Sequence, residues 1–200
     1  MWIETEDALA ALYGIPMPAA VSKVTPRLTA ACRRWIGQSR FCMLSTVGPE
    51  GTDCSPRGDD GPVVTILDDS TLALPDWRGN NRVDSLRNIV RDGRVSVTFL
   101  VAGSDIAMRV NGTARLTADA TFCARFERKG SLPRTVIVIR IAEVYPQCSK
   151  AMIRSALWDG SAAPAGLPTL GDMLRDATGG VFDGTAFDAQ WAEQARAGLW

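Results

Sequence analysis

Between Arg40 and Val144 the chain is a succession of short apolar, β-prone runs, each closed by turn chemistry. The runs are 41–47 (FCMLSTV), 52–57 (TDCSPR), 63–67 (VVTIL), 71–74 (TLAL), 95–101 (VSVTFLV), 107–116 (AMRVNGTARL) and 134–144 (RTVIVIRIAEV). Gly48-Pro49-Glu50-Gly51, the GDDG of 58–61 and Asp68-Asp69-Ser70 separate the first four at hairpin spacing, which predicts antiparallel pairing. A sheet with this many apolar strands must close or pack to hide its edges, so a small antiparallel β-barrel is the most economical architecture. One helix interrupts it. In 72–89 (LALPDWRGNNRVDSLRNI) a strand runs into Pro75 and an arginine-bearing turn, after which Val83, Leu86, Ile89 and Val90 recur at helical spacing. Asn80 or Asn81 is expected to cap that helix. The free amides of its first turn, with Arg78 and Arg82 to either side, would suit a phosphate dianion.

Helices are expected outside the barrel. Residues 3–13 (IETEDALAALY) read as a short helix ended by Gly14 and Pro16, and 18–23 as linker. Thr25-Pro26 is expected to open a second helix carrying Leu28, Ala31, Cys32, Trp35 and Ile36 on one face. A weaker helical stretch covers 118–128. Beyond the last strand, 148–160 (CSKAMIRSALWDG) spaces Lys150, Arg154 and Trp158 by four, which predicts one shared helix face. That face is either a solvated basic helix or an anion site formed by Lys150 and Arg154. After a linker at 161–168, helices are expected over 169–177 and 186–199, to pack on a second copy or to cover a site. The whole is one domain of 200 residues, with N-terminal helices over 3–37 and a C-terminal helical extension from about 149.

Composition narrows the chemistry. The formal charge is zero, which argues against holding nucleic acid through the overall field. No run reaches the ~20 apolar residues of a membrane span, and the acidic N-terminus is unlike a signal peptide, so a cytoplasmic protein is expected, without membrane or nucleic-acid partners. The five cysteines (Cys32, Cys42, Cys54, Cys123 and Cys148) are scattered, without a CxxC pair, and fit reduced thiols. There is no histidine. That excludes serine–histidine and cysteine–histidine catalysis, and with them the commonest metal sites and histidine-ligated haem.

The blocks CSPRGD (54–59), LALPDWRGNNRVDSLRNI, FLV (99–101) and RVNGTARL (109–116) resemble the pyridoxamine 5′-phosphate oxidase-like family of FMN-binding split β-barrels, in particular an uncharacterised bacterial branch. The resemblance spans roughly 40–158. It implies a mainly β chain with peripheral helices, an antiparallel split barrel, and a homodimer with FMN at the subunit boundary. It also implies an FMN-dependent oxidoreductase acting on an unidentified small molecule; a non-catalytic flavin carrier or sensor, or a deazaflavin-using relative, is the alternative. Carried over by position, Arg57 would reach the flavin phosphate. Pro75, Asp76, Trp77, Arg78, Asn81 and Arg82 would wrap ribityl and phosphate, with Trp77 shielding the ring or plugging the barrel end. Arg109, with Asn111, would stand near the flavin ring. Asn81-Arg82 replaces a pair of basic residues in the founding enzymes, and Arg78 would make good the lost charge. Those enzymes end in an arginine-bearing substrate motif, often with a histidine; its absence predicts a substrate other than pyridoxamine phosphate, with Lys150 and Arg154 favouring an anionic one.

Overall fold

In the computed structural model, which describes residues 2–199, the strand runs form one antiparallel sheet ordered β2-β1-β5-β6-β7-β4-β3. The strands are β1 (Phe41–Gly48), β2 (Gly51–Gly58), β3 (Thr65–Asp68), β4 (Thr71–Asp76), β5 (Arg94–Leu100), β6 (Ala107–Thr117) and β7 (Thr135–Gln147). Alternation fixes the inner face: Val95, Val97 and Phe99 of β5 are buried while Ser96 and Thr98 point the other way. Leu44, Leu72, Leu74, Val97, Val110, Ile137 and Ile139 join Phe99 in one core in which each is essentially without solvent contact. Each such side chain contributes about 1.5–3 kcal/mol through burial.

Helix α3 (Ala30–Ile36) buries Cys32 and Ile36 against this core, and α4 (Asp84–Arg91) packs on β1, β2 and β6. A small second core forms on the other side of β4 and β7, where α5 (Ala120–Ala124) and the residues after it bring Cys123 and Phe126 against Ala73 and Val136. By contrast α1 (Glu6–Tyr13), α2 (Pro18–Ser22) and α6 (Lys150–Ser155) contain no buried residue. In α7 (Leu170–Ala177) and α8 (Gly184–Ala197) only Gly171 and Gly184 are buried, each where the two helices touch.

Several expectations are corrected. Thr25 does not open a helix. It bridges to Val144 of β7 (N to O 3.0 Å), and Thr29 caps α3 instead, its Oγ1 accepting from Cys32 N. Residues 18–22, expected as linker, are helical because Pro18 sits at the first position, where its missing N–H costs nothing. Pro75 and Asp76 belong to β4, paired with Val136 and Thr135, rather than to the following turn. Neither Asn80 nor Asn81 caps α4: the cap position is Val83, with left-handed backbone at φ 53° and no side-chain hydrogen bond. The Asn80 carboxamide oxygen instead accepts from Arg82 N at 3.0 Å, closing a local turn that delays the helix. Finally, α6 ends where Ala156 turns left-handed, so Trp158 leaves the face of Lys150 and Arg154, and its indole donates to Ser104 O at 2.8 Å.

One irregularity shapes β7. Asn111 faces Glu143 and Gly112 faces Ile141, leaving Ala142 unpaired in a bulge. A Cβ on Gly112 would lie 2.0 Å from Arg140 O, so only glycine permits the strands to approach there.

Candidate functional site

Edge strands β2 and β3 are not joined by a ladder, so the sheet has an open seam. Across it, at the C-terminal ends of β2 and β4, the Arg57 guanidinium pairs through Nη1 with the Asp76 carboxylate; both side chains are about four-fifths buried, at 21% and 17% exposure. A second tie follows at once. The Trp77 indole N–H donates to Asp59 at 3.0 Å, and Asp59, whose side chain is 3% exposed, pairs with Arg128 at 3.2 Å. Just inside the seam, Cys42 faces Arg57 across the β1–β2 ladder. Burial pushes its thiol up to about 12, against the opposing pull of the Arg57 charge, so Cys42 is an inert core residue.

At this seam opens a cleft of about 880 Å³, within the range of small-molecule and cofactor sites. Pro56, Arg57 and Gly58 form one side, Leu74, Pro75, Trp77 and Arg78 the other, and the last turns of α8 a third. Arg78 makes no hydrogen bond or ion pair among the described residues. Arg57 engages Asp76 through Nη1 and Ser55 Oγ through Nε (3.3 Å), which leaves part of its five-donor fork free. Two guanidiniums, two indoles and aliphatic side chains thus share one concavity. The donor set matches a ligand with an anionic end and a flat apolar body.

The sequence-predicted residues divide by location. Arg57, Pro75, Trp77 and Arg78 come together in the cleft, with Asp76 directly behind Arg57. Arg82 does not line it: Arg82 pairs with Asp84 and lines a separate polar groove with Glu50, Asp53, Arg87 and Arg91. Asn81, in left-handed backbone at φ 60°, accepts from Arg134 at 3.2 Å. Arg109 and Asn111 lie on the outer face of the sheet. A cross-strand row runs Pro56–Met43–Thr98–Arg109–Tyr145, so Arg109 stands three strand spacings from the cleft-lining Pro56, about 14 Å at ~4.8 Å per spacing. The Arg109 guanidinium lies over the Tyr145 ring at 5.5 Å, and Lys23 approaches the same ring at 5.8 Å. Asn111 donates to Glu143 at 3.1 Å and meets Ser96 at 2.8 Å. Lys150 and Arg154 are exposed on α6 and do not line the cleft.

The pyridoxamine 5′-phosphate oxidase family model matches residues 28–148. The chain belongs to this family. The matched span contains all seven strands and both sides of the seam, and α7 and α8 lie outside it. Similar solved structures include a putative pyridoxamine 5′-phosphate oxidase of Lactobacillus delbrueckii, 25% identical, covering 60% of this chain and 95% of that one at a TM-score of 0.49. HupZ of Group A Streptococcus is 17% identical, with 68% of this chain and 99% of that one covered at 0.49. An FMN-binding protein of Syntrophomonas wolfei is 15% identical, with coverages of 56% and 79% at 0.43. No curated protein matches the chain.

Sequence reasoning missed two participants: Asp76 as the partner that holds Arg57, and Asp59 as the acceptor that orients Trp77. Both arise from long-range pairing. For α8 the sequence predicts a helix over 186–199 that packs on a second copy or covers a site, but not which residues line the cleft, although Trp191, Gln194, Ala195 and Gly198 follow an i, i+3, i+4, i+7 spacing. No helix is long and apolar enough to cross a membrane, and no group of His, Cys, Asp or Glu is placed to hold a metal ion, among the described residues.

Proposed function

We propose that the chain is an FMN-dependent oxidoreductase that uses the seam cleft to hold the cofactor. The observation that carries this reading is the convergence of Arg57, unpartnered Arg78, Pro75 and Trp77 in one cleft within the span matched by the oxidase family. Arg78 supplies the free charge for a phosphate, and Asp76 holds Arg57 so that its remaining donors face the cleft. Trp77, fixed by Asp59, presents an apolar face and excludes water. FMN, when bound, supplies the redox chemistry, accepting or giving two electrons with a small substrate, so no protein nucleophile is required of a chain without histidine. Arg109 and Asn111, on the outer row, supply polar contacts further along the same face.

A two-fold dimer belongs to this proposal, with the outer face of β1, β5 and β6 as its contact and the cofactor at the boundary. Arg82, Asn81, Lys150 and Arg154 do not line the cleft of one chain, and a role for them at the cofactor or an anionic substrate requires the second copy. Pyridoxamine phosphate is not the expected substrate, since a missing set of specific polar contacts can cost ~10⁴-fold.

The test is the purified protein loaded with FMN. A bound-flavin spectrum at one per chain, bleached by a nicotinamide donor and restored by oxygen, is the expected result. A colourless protein that takes up no FMN overturns the cofactor assignment, and bound flavin that resists every donor reduces the protein to a carrier.

A further inference from the structure

Helix α8 lies beyond the span matched by the family, yet it forms a whole side of the cleft. Its Trp191, Gln194, Ala195 and Gly198 fall on one helical face, continued by Ala197 and Leu199, and this is the face that meets Arg57 and Arg78 across the opening. At its other end α8 is tied to α7. Gly171 and Gly184 bring α7 and α8 into backbone contact so close that a Cβ on either would lie 2.2–2.3 Å from the other's carbonyl oxygen. The Asp188 carboxylate accepts from Gly171 N at 2.9 Å, and a capping box formed by Thr169 and Asp172 starts α7. From the turn before α8 into the helix, aromatic rings continue toward the cleft: Phe182 meets Phe187 edge-on at 5.5 Å, and Phe187 stacks on Trp191 at 5.2 Å and 20°. The ladder ends in an indole that is 44% exposed and unstacked on its cleft side.

From these contacts we propose that α8 is part of the binding site, Trp191 being the surface against which the ring system of the cofactor is held and α8 the element that sets how fast it leaves. This inference rests on the FMN reading above. The chemistry divides across the cleft. Arginines on the barrel side take the anionic end, and the residues lining the cleft from the α8 side carry no charge, only an indole, aliphatic groups and the Gln194 carboxamide, which suits the polar edge of a heteroaromatic ring. The selected ligand class is therefore a flat heteroaromatic phosphate, since a bare anion would meet no charge and only the Gln194 carboxamide on the α8 side.

The experiment uses the full chain loaded with FMN, measuring the flavin dissociation rate on dilution and the fluorescence yield of the bound flavin. Trp191→Ala is expected to release FMN about tenfold faster and to brighten the bound flavin, because an indole stacked on the ring contributes both affinity and quenching. Trp191→Phe should restore most of the retention. Ala195→Glu, which sets a carboxylate against the two arginines, should abolish retention in a protein that otherwise melts as the parent does. Unchanged dissociation and fluorescence in both Trp191→Ala and Ala195→Glu would overturn the inference while leaving the FMN reading intact. A parent protein that takes up no FMN would overturn both.

Discussion

The barrel and the helices at the two chain ends are built on different principles. Among the described residues every buried apolar side chain lies between Leu28 and Val144. Before Leu28, α1 and α2 bury nothing; after Val144, α6 buries nothing and α7 and α8 bury only the glycines of their mutual contact. Trp2, Tyr13 and Ile15 are 80% exposed or more, as is Val181 in the C-terminal part. The buried apolar area that stabilises the fold thus resides in the middle of the chain, and the end helices add almost none of it. A helix of eight residues with no buried face is marginal in water, and α1 has none.

The sharpest way to break this division is to injure the two regions in parallel. Ile139→Ala, in the core where β7 meets β4 and β6, is expected to lower unfolding free energy by about 2–5 kcal/mol, read by urea denaturation. Removing residues 161–200 should leave the urea midpoint of the barrel close to that of the full chain. A loss from truncation as large as that from Ile139→Ala would show that the C-terminal helices belong to the folding unit.

The two arginines of the cleft sharpen the comparison at smaller scale. Arg57→Leu strands the four-fifths-buried Asp76 carboxylate and should cost about 1–3 kcal/mol as well as FMN retention. Arg78→Leu should lose FMN with no measurable change in stability, since Arg78 has no partner to leave behind among the described residues. Equal melting of the two variants would show that the Arg57–Asp76 tie contributes nothing to closing the seam.

The smallest effect lies in acid. Asp92 is held down to about 2 by its hydrogen bonds from the Arg94 guanidinium and backbone amide, against an ordinary value of ~3.9. The folded state therefore binds that proton less readily than the unfolded one. Its contribution is complete above about pH 4 and is lost as the pH falls toward 2. Asp172 in α7 is lowered in the same direction by the backbone N–H and hydroxyl of Thr169. Both groups are open to solvent, so salt should weaken the effect. Asp92→Asn is expected to flatten the acid limb of the barrel transition slightly, and an unchanged limb would remove Asp92 from the account.

The strands were legible because alternation and turn residues are local signals, as in β5, where the inward Val95, Val97 and Phe99 could be read directly. Boundaries failed where a distant partner decides. Thr25-Pro26 has the local form of a helix start, but Val144, far along the chain, claims Thr25 for the sheet. Pro75 looked like the end of a strand, although β4 keeps its pairing with β7 through Asp76. The cleft was half legible for the same reason. Arg57, Trp77 and Arg78 sit in readable blocks, whereas the Arg57–Asp76 and Trp77–Asp59 ties need the seam to exist first.

The unpaired Ala142 works as a phase shift in the sheet. Before it, odd-numbered residues of β7 (Ile137, Ile139, Ile141) point inward; after it the even-numbered Val144 takes the core position, and Glu143 and Tyr145 emerge on the outer row beside Asn111 and Arg109. The two halves of one strand therefore obey opposite parity. Relatives can be compared at Glu143 and Tyr145 only after it is known whether they carry the extra residue. Where they do not, the same letters at the same aligned columns describe side chains on opposite sides of the wall.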